Sequence, residues 1–321
     1  MFRVSVLCSD PVVGIVMEGS LGHRDRVAGG ASAMEFDASA LPAARLTGVL
    51  ADGRGGGRND HVCWAYTTRA ERDIAAAQWL ADGFRCGQRL LVVTADADAG
   101  AELLATITVT AGADVSAAII NLAVTDLYDL SVPIDADSML ARYAGQVAAA
   151  VADGHDGLRV FADITALIAD PARRAAHARW EHFADAWMAA GNPLAPMCAY
   201  DIRVVGEEQL AVMAVHPLRH GPLAAMPSFG LYWGRTGRVL DGEIDAFALP
   251  TLAEILAGLP HDMLDLDASQ LSFLSARGAA TLAQPFPNGL RLRLVNAPPI
   301  VRRLWQILEF DPAQLGSHTG N

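Results

Sequence analysis

The sequence predicts an α/β protein: a doubly wound, mostly parallel sheet domain followed by a smaller α/β domain. Three observations carry that expectation. Short apolar stretches at 60–66, 89–94, 117–123, 158–163 and 194–200 alternate with helix-length amphipathic segments, the pattern of repeated strand–helix units. A stretch punctuated by Pro and Gly at 216–228 then interrupts the alternation. Beyond it a second, shorter series starts with a hairpin pattern, and 321 residues leave room for two cores.

The elements follow in order. Residues 1–58 end in Asp52-Gly-Arg-Gly-Gly-Gly-Arg58, a flexible composition, and are expected to form a poorly ordered extension. The first domain spans 59–217. Its opening strand, 60–66, is followed by Thr68-Arg-Ala-Glu71, the spacing of a capping box with Thr at the N-cap and Glu at N3. The helix that follows is expected to turn Ile74, Ala77, Leu80, Ala81 and Phe84 inward. Helices at 100–106, 136–152 and 171–190 separate the later strands, and a short helix is expected at 207–214. Residues 218–228 read as a linker and 229–321 as the second domain. There, 229–233 and 238–244 form a hairpin. Pro250 opens a helix burying Leu252, Ile255, Leu256 and Leu259, and Pro299 opens one burying Val301, Leu304, Ile307 and Leu308. Between them Leu264, Leu266, Leu271, Phe273 and Leu274 form an apolar ladder.

Composition excludes several classes of function. A formal net charge of −12 repels phosphate backbones, so no direct nucleic-acid binding is expected. The chain contains no lysine, which removes a phosphate-loop lysine and any lysine Schiff base. No run approaches eighteen uncharged apolar residues, so no membrane partner is expected. Four scattered cysteines without a Cys-x-x-Cys suggest free thiols in a reducing cytoplasm.

The rim at the carboxyl ends of a parallel sheet is where ligands sit, and this places Tyr66, Asp163, Tyr200 and Asp201 together. His61, Cys63, Cys198 and His216 carry donors suited to a transition metal or haem. They form no local pair with ligand spacing, so buried thiols and hydrogen-bonded histidines are the preferred account, and neither a metal nor a cofactor is expected. Trp64, Tyr66, Trp79, Trp180 and Trp187 are candidates for an apolar pocket, against the plainer reading as core aromatics. Arg173, Arg174, His177 and Arg179 read as a solvated helix face. No nucleophile–base set stands out, and no catalytic residue is expected.

Two families resemble parts of this chain. His61-Val-Cys-Trp-Ala-Tyr66, Leu80-Ala-Asp-Gly-Phe-Arg-Cys-Gly-Gln-Arg89, Cys198-Ala-Tyr-Asp201 and His216-Pro217 together resemble the MEDS domain, a methanogen/methylotroph sensory domain found beside signalling modules. That resemblance implies a RecA-like core without its phosphate loop; where a Gly-x-x-x-x-Gly-Lys would lie, the chain has Tyr66-Thr-Thr-Arg-Ala-Glu-Arg-Asp73. It also implies that the first domain binds a small ligand or a partner, for which the residues singled out above, His61, Cys63, Trp64, Tyr66, Asp163, Cys198, Tyr200, Asp201 and His216, are the pocket candidates.

Asp241-Gly-Glu-Ile-Asp245, Asp267-Ala-Ser-Gln-Leu-Ser-Phe-Leu-Ser-Ala-Arg-Gly278 and Leu290-Arg-Leu-Arg-Leu-Val295 resemble the STAS domain of anti-sigma factor antagonists. The resemblance implies a switch loop of Asp245, Asp267, Ser269, Ser275, Ala276, Arg277 and Gly278, facing an anti-sigma factor or related kinase-type regulator. The aspartate–serine pair of that pattern is Ser275-Ala276 here, so the usual phosphoacceptor is absent. The combined expectation is a cytoplasmic, non-enzymatic regulator of transcription working through protein–protein contacts. The alternatives are a nucleotide-binding or hydrolysing enzyme of degenerate RecA type, and a metal or redox sensor.

Overall fold

The computed structural model describes residues 45–206, 214–223, 226–234, 237–259 and 263–316. Two sheets organise them. The large one contains β1 (Gly48–Val49), β2 (Val62–Tyr66), β3 (Arg89–Thr94), β4 (Ile119–Ala123), β5 (Leu158–Asp163), β6 (Leu194–Asp201) and β7 (Leu218–His220). Its order is β1-β7-β2-β6-β5-β3-β4, and every pairing is parallel. The helices between these strands are α1 (Arg69–Arg85), α2 (Ala97–Ala111), α3 (Ala113–Ala117), α4 (Val124–Leu127), α5 (Ala136–Ala152), α6 (Thr165–Ile168), α7 (Pro171–Ala189) and α8 (Ile202–Val205).

The central strands are buried on both faces, as a helix-covered parallel sheet requires. On one face α1 and α2 pack Trp79, Leu80, Leu103 and Ile107 against Val62, Val92, Phe161 and Met197. On the other, α5 and α7 pack Tyr143, Val147, Trp180 and Met188 against Leu91, Val93, Val160 and Cys198.

The second sheet has β8 (Phe229–Trp233), β9 (Arg238–Ile244), β10 (Met263–Asp267), β11 (Leu271–Leu274) and β12 (Arg291–Val295). β8 and β9 are the antiparallel hairpin that the sequence predicts; the other pairings are parallel. β10 meets the start of β9 and β11 its end, with β12 outside β10. The helices α9 (Leu249–Ala257), α10 (Ala276–Ala283) and α11 (Pro299–Ile307) supply Leu252, Leu256, Ala279, Leu282, Val301 and Trp305 to its core.

Several expectations require correction. Residues 45–58 are an ordered strap, not a flexible extension; residues 1–44 lie outside the described ones. β1 joins the sheet edge beside β7, and Gly53 and Gly56 press onto α1 so closely that a β-carbon would stand 2.4 Å from the Ala75 carbonyl oxygen and 2.0 Å from the Trp79 ring. Glycine serves close approach here rather than flexibility. The stretch expected as a linker, 218–228, begins with β7, a strand of the large sheet. Just before it, Ala214 and Val215 belong to the second core, so the chain visits both units before the hairpin. The helix expected at 207–214 falls almost entirely outside the described residues.

Three inward faces also differ. In α1 the buried stripe is Ala75, Ala76, Trp79, Leu80 and Gly83, because small residues let the helix lie close to the sheet; Ile74 and Phe84 are exposed. In α11 the bulky Trp305 pairs with Val301 to set the buried face and leaves Ile307 outside. In β11 a register shift between Leu271 and Phe273 turns Phe273 outward.

Candidate functional site

Alternation along β2 sorts the candidate residues into separate places. The side chains of Cys63 and Ala65 face α7, whereas those of Val62, Trp64 and Tyr66 face α1. His61, just before the strand, lies on the α7 side. Trp64 therefore leaves the group and stacks on His220 with ring centroids 3.6 Å apart.

What gathers on the α7 side is a wholly buried polar cluster centred on Glu181. His177, Glu181 and Asp185 are spaced i, i+4, i+8 and so share one face of α7. His61 Nε2 lies 3.0 Å from Glu181 Oε2, Cys198 Sγ 3.7 Å and His216 Nε2 3.5 Å from the same oxygen. The other oxygen, Oε1, is 2.9 Å from His177 Nε2 and accepts from Tyr200 Oη at 3.5 Å. His61, Glu181, Cys198 and His216 each offer one donor atom, and the four atoms lie within 4.8 Å of one another. Cys63, the register partner of Cys198 on the neighbouring strand, flanks the group. Cys63 and Cys198 are free; Cys86 is disulfide-bonded, a departure from the expectation of free thiols throughout.

The electrostatics of this interior are set by pairing. Burial alone raises the Glu181 carboxyl, but His177, His216 and His61 outweigh it and hold the group well below the usual carboxylate range. Burial likewise opposes charge on His61, and its hydrogen bonds with Asp185 and Glu181 reverse that, raising its pKa. Cys198 is pushed well up by burial and by Glu181, so it is a thiol as the cluster stands. Cys198 and Glu181 also border a cavity of about 20 Å³ lined by Tyr128, Tyr143, Ile164 and Trp180, room for about one water-sized molecule.

Asp185 links this cluster to the second sheet. Its Oδ1 is 3.3 Å from His61 Nδ1 and accepts from Arg45 Nη2 at 2.5 Å, while Oδ2 accepts from the Trp233 backbone N–H at 2.7 Å. Arg45 Nη1 in turn donates to the Trp233 carbonyl at 2.9 Å. One carboxylate thus touches a histidine of the first unit and strand β8 of the second. Alongside, His182 Nε2 meets Arg238 Nε at 2.9 Å, and burial with that cation lowers its pKa to about 3.

The carboxyl-end rim holds a different group. Asp163 Oδ2 accepts from Tyr66 Oη at 2.8 Å and from Arg72 Nη1 at 2.8 Å, and Oδ1 accepts from Thr165 Oγ1 at 2.7 Å. Asp201 caps α8 and pairs with Arg203. Thr68 caps α1 as its spacing predicts, and Glu71 Oε2 accepts from Thr67 N–H at 2.9 Å. A carboxylate therefore occupies the helix entrance where a bound phosphate would need those donors.

In the second unit Asp245 Oδ1 accepts from the N–H groups of Phe247 and Ala248 at 2.9 and 2.8 Å. Asp267 accepts from Ser269 N–H and Asn296 Nδ2, fixing the turn between β10 and β11. Ser275 Oγ accepts from Gly278 N–H at 3.0 Å and caps α10, whose first residues are Ala276 and Arg277.

The nine pocket candidates therefore divide. His61, Cys63, Cys198, Tyr200 and His216 meet around Glu181; Tyr66, Asp163 and Asp201 stay at the rim; Trp64 lies on the opposite face. The sequence reading missed Glu181, Asp185, Arg45 and Arg72, and it placed His177 on a solvated face although it is fully buried. The i, i+4, i+8 run of titratable residues on α7 was the available signal.

Among the described residues, no helix is long and apolar enough to cross a membrane. No curated protein and no solved structure matches the chain. Residues 60–217, just under half of the chain, match the family model described as MEDS, the MEthanogen/methylotroph, DcmR Sensory domain, and this match to a sensory domain suggests a signalling or regulatory role.

Proposed function

We propose that this chain is a regulator in which the segment 60–217 senses a small ligand and the second unit reports the result to a protein partner. The single observation that carries the reading is Asp185, buried between His61 of the sensory segment and the Trp233 backbone of the second sheet. A change at His61 alters the partner of a carboxylate that also holds β8. Buried charge pairs of this kind are costly to break, so the two units respond together.

The reading of the second unit as an anti-sigma-antagonist-like binder rests on its order of elements: a hairpin, a helix, a strand with a turn at Asp267, a helix capped by Ser275, a strand and a closing helix. Phe247 is 90% exposed beside the Asp245 turn and Arg277 lies at the start of α10, a combination suited to a protein partner. The resemblance of the first unit to a RecA-like core is compatible with its all-parallel sheet. Glu71 at the entrance of α1 and the Arg72–Asp163 pair favour a non-enzymatic role.

The test is affinity capture from a lysate of the native host with the full chain as bait, beside Phe247→Ser and Arg277→Glu. The expected result is recovery of a kinase-type anti-sigma regulator, reduced by both substitutions. Recovery of no such protein, or recovery indifferent to both changes, overturns the partner assignment. ATP turnover by the pure chain that Asp163→Ala abolishes overturns the non-enzymatic part.

A further inference from the structure

We propose that His61, Glu181, Cys198 and His216 form a binding site for a transition-metal ion of the zinc class. The assignment deepens the sensory reading, on which its regulatory meaning rests, but its physical basis is separate.

The donor set comes first. Two imidazoles, a carboxylate and a thiolate are a zinc-type combination; calcium and magnesium take oxygen ligands instead. The spacing agrees. Zinc bonds of about 2.0–2.3 Å at tetrahedral angles place neighbouring donors about 3.3–3.6 Å apart. The observed separations around Glu181 Oε2 are 3.0 Å to His61, 3.5 Å to His216 and 3.7 Å to Cys198, with Cys198 Sγ 3.9 Å from His61 Nε2. The four residues come from far apart in the chain: the entry to β2, the middle of α7, β6, and the approach to β7. Their convergence is a product of the fold.

The surroundings orient each donor. His61 directs Nδ1 at Asp185 and Nε2 at the centre of the cluster, the carboxylate–histidine arrangement that sets the tautomer of a ligating imidazole. His177 holds Glu181 Oε1, so Oε2 is the oxygen turned toward the other three donors. Asp185 is itself neutralised by Arg45. A divalent ion with the Glu181 carboxylate and a Cys198 thiolate sums to zero charge, and the Asp185–Arg45 pair also sums to zero. The interior is then electrically balanced. Binding releases the Cys198 proton and any proton held on His61. His61, His216 and Glu181 are almost wholly shielded from solvent, so the ion enters as the chain folds or opens, and metal adds to the stability of the folded state.

The experiment uses the full chain produced in medium supplemented with Zn²⁺ or with Co²⁺. Metal content is measured by inductively coupled plasma mass spectrometry, and the Co²⁺ form by visible and near-ultraviolet absorption. The expected result is one metal per chain, tetrahedral Co²⁺ bands and a thiolate-to-cobalt charge-transfer band. Cys198→Ser removes that band and Cys63→Ser keeps it. Asp185→Asn, which leaves all four ligands in place, weakens binding about 10- to 100-fold. Folded wild-type chain without stoichiometric metal overturns the proposal. So does a charge-transfer band that persists in folded Cys198→Ser. Should Cys198→Ser fail to fold, the wild-type stoichiometry and the Cys63→Ser spectrum decide. None of these readouts involves a partner protein, so a metal-free result leaves the sensory reading standing, and a bound metal without a captured partner leaves the site standing.

Discussion

The two units bury opposite kinds of interior. Among the described residues, every buried polar or charged side chain lies between Asn59 and Arg219, including Arg159, His177, Glu181, Asp185 and His216. The core of the second unit is apolar throughout, built from residues such as Phe229, Leu231, Leu252, Leu266, Leu292 and Trp305. The difference teaches that the two interiors are held in different ways. Desolvating a charge costs several kcal/mol unless it is paired, so the first interior depends on the pairing around Glu181 and Asp185, whereas the second depends on apolar contact. The second unit has an apolar frame; its polar groups lie in the turns at Asp245 and Asp267, at the Ser275 cap, and along β9, where Asp241 meets Tyr232 and Arg238 meets His182 of the first unit.

The largest expected effect breaks the charged interior. Asp185→Ala leaves Arg45 buried without its counter-charge and should cost about 3–5 kcal/mol in equilibrium urea unfolding. The double change Asp185→Leu with Arg45→Met should recover most of that loss, because apolar replacement of a buried pair is often neutral. If the single change costs under about 1 kcal/mol, the contrast between the two interiors has no energetic meaning.

A smaller effect tests the strap. Gly56→Ala drives a β-carbon into the Trp79 ring and to within 2.9 Å of Arg159 Nη1. Overpacking of this kind costs about 1–3 kcal/mol and should lower the thermal midpoint. An unchanged midpoint would mean that residues 52–58 are only loosely attached after all. The smallest effect belongs to the second unit. Ser275→Ala removes the α10 cap and should cost about 1 kcal/mol, read by the same unfolding measurement. A loss near that of Asp185→Ala would show that the loop carries structural stress that its hydrogen bonds do not reveal.

Sequence alone determined the local and periodic features: the strands Arg89–Thr94 and Leu158–Asp163, the Thr68 cap, the long α5 and α7, and the β8–β9 hairpin. These follow from side-chain spacing and capping chemistry acting over a few residues. The residues His61, Cys63, Cys198 and His216 were visible as donor types because residue identity alone supplies the donor atom. Only the tertiary structure decided that three of them meet Glu181, because β2 and β6 are adjacent strands although more than a hundred residues separate them in sequence. It also decided that Trp64 and Tyr66 leave the group, since alternation sends neighbouring side chains to opposite faces. The Gly-rich strap shows the same limit: composition records that glycine permits flexibility, but close packing against Trp79 and Ala75 is a long-range contact that composition does not encode. Asp185 is the clearest instance. On α7 it reads as one more surface acid, and its burial between His61, Arg45 and Trp233 arises only when two sheets dock on one helix.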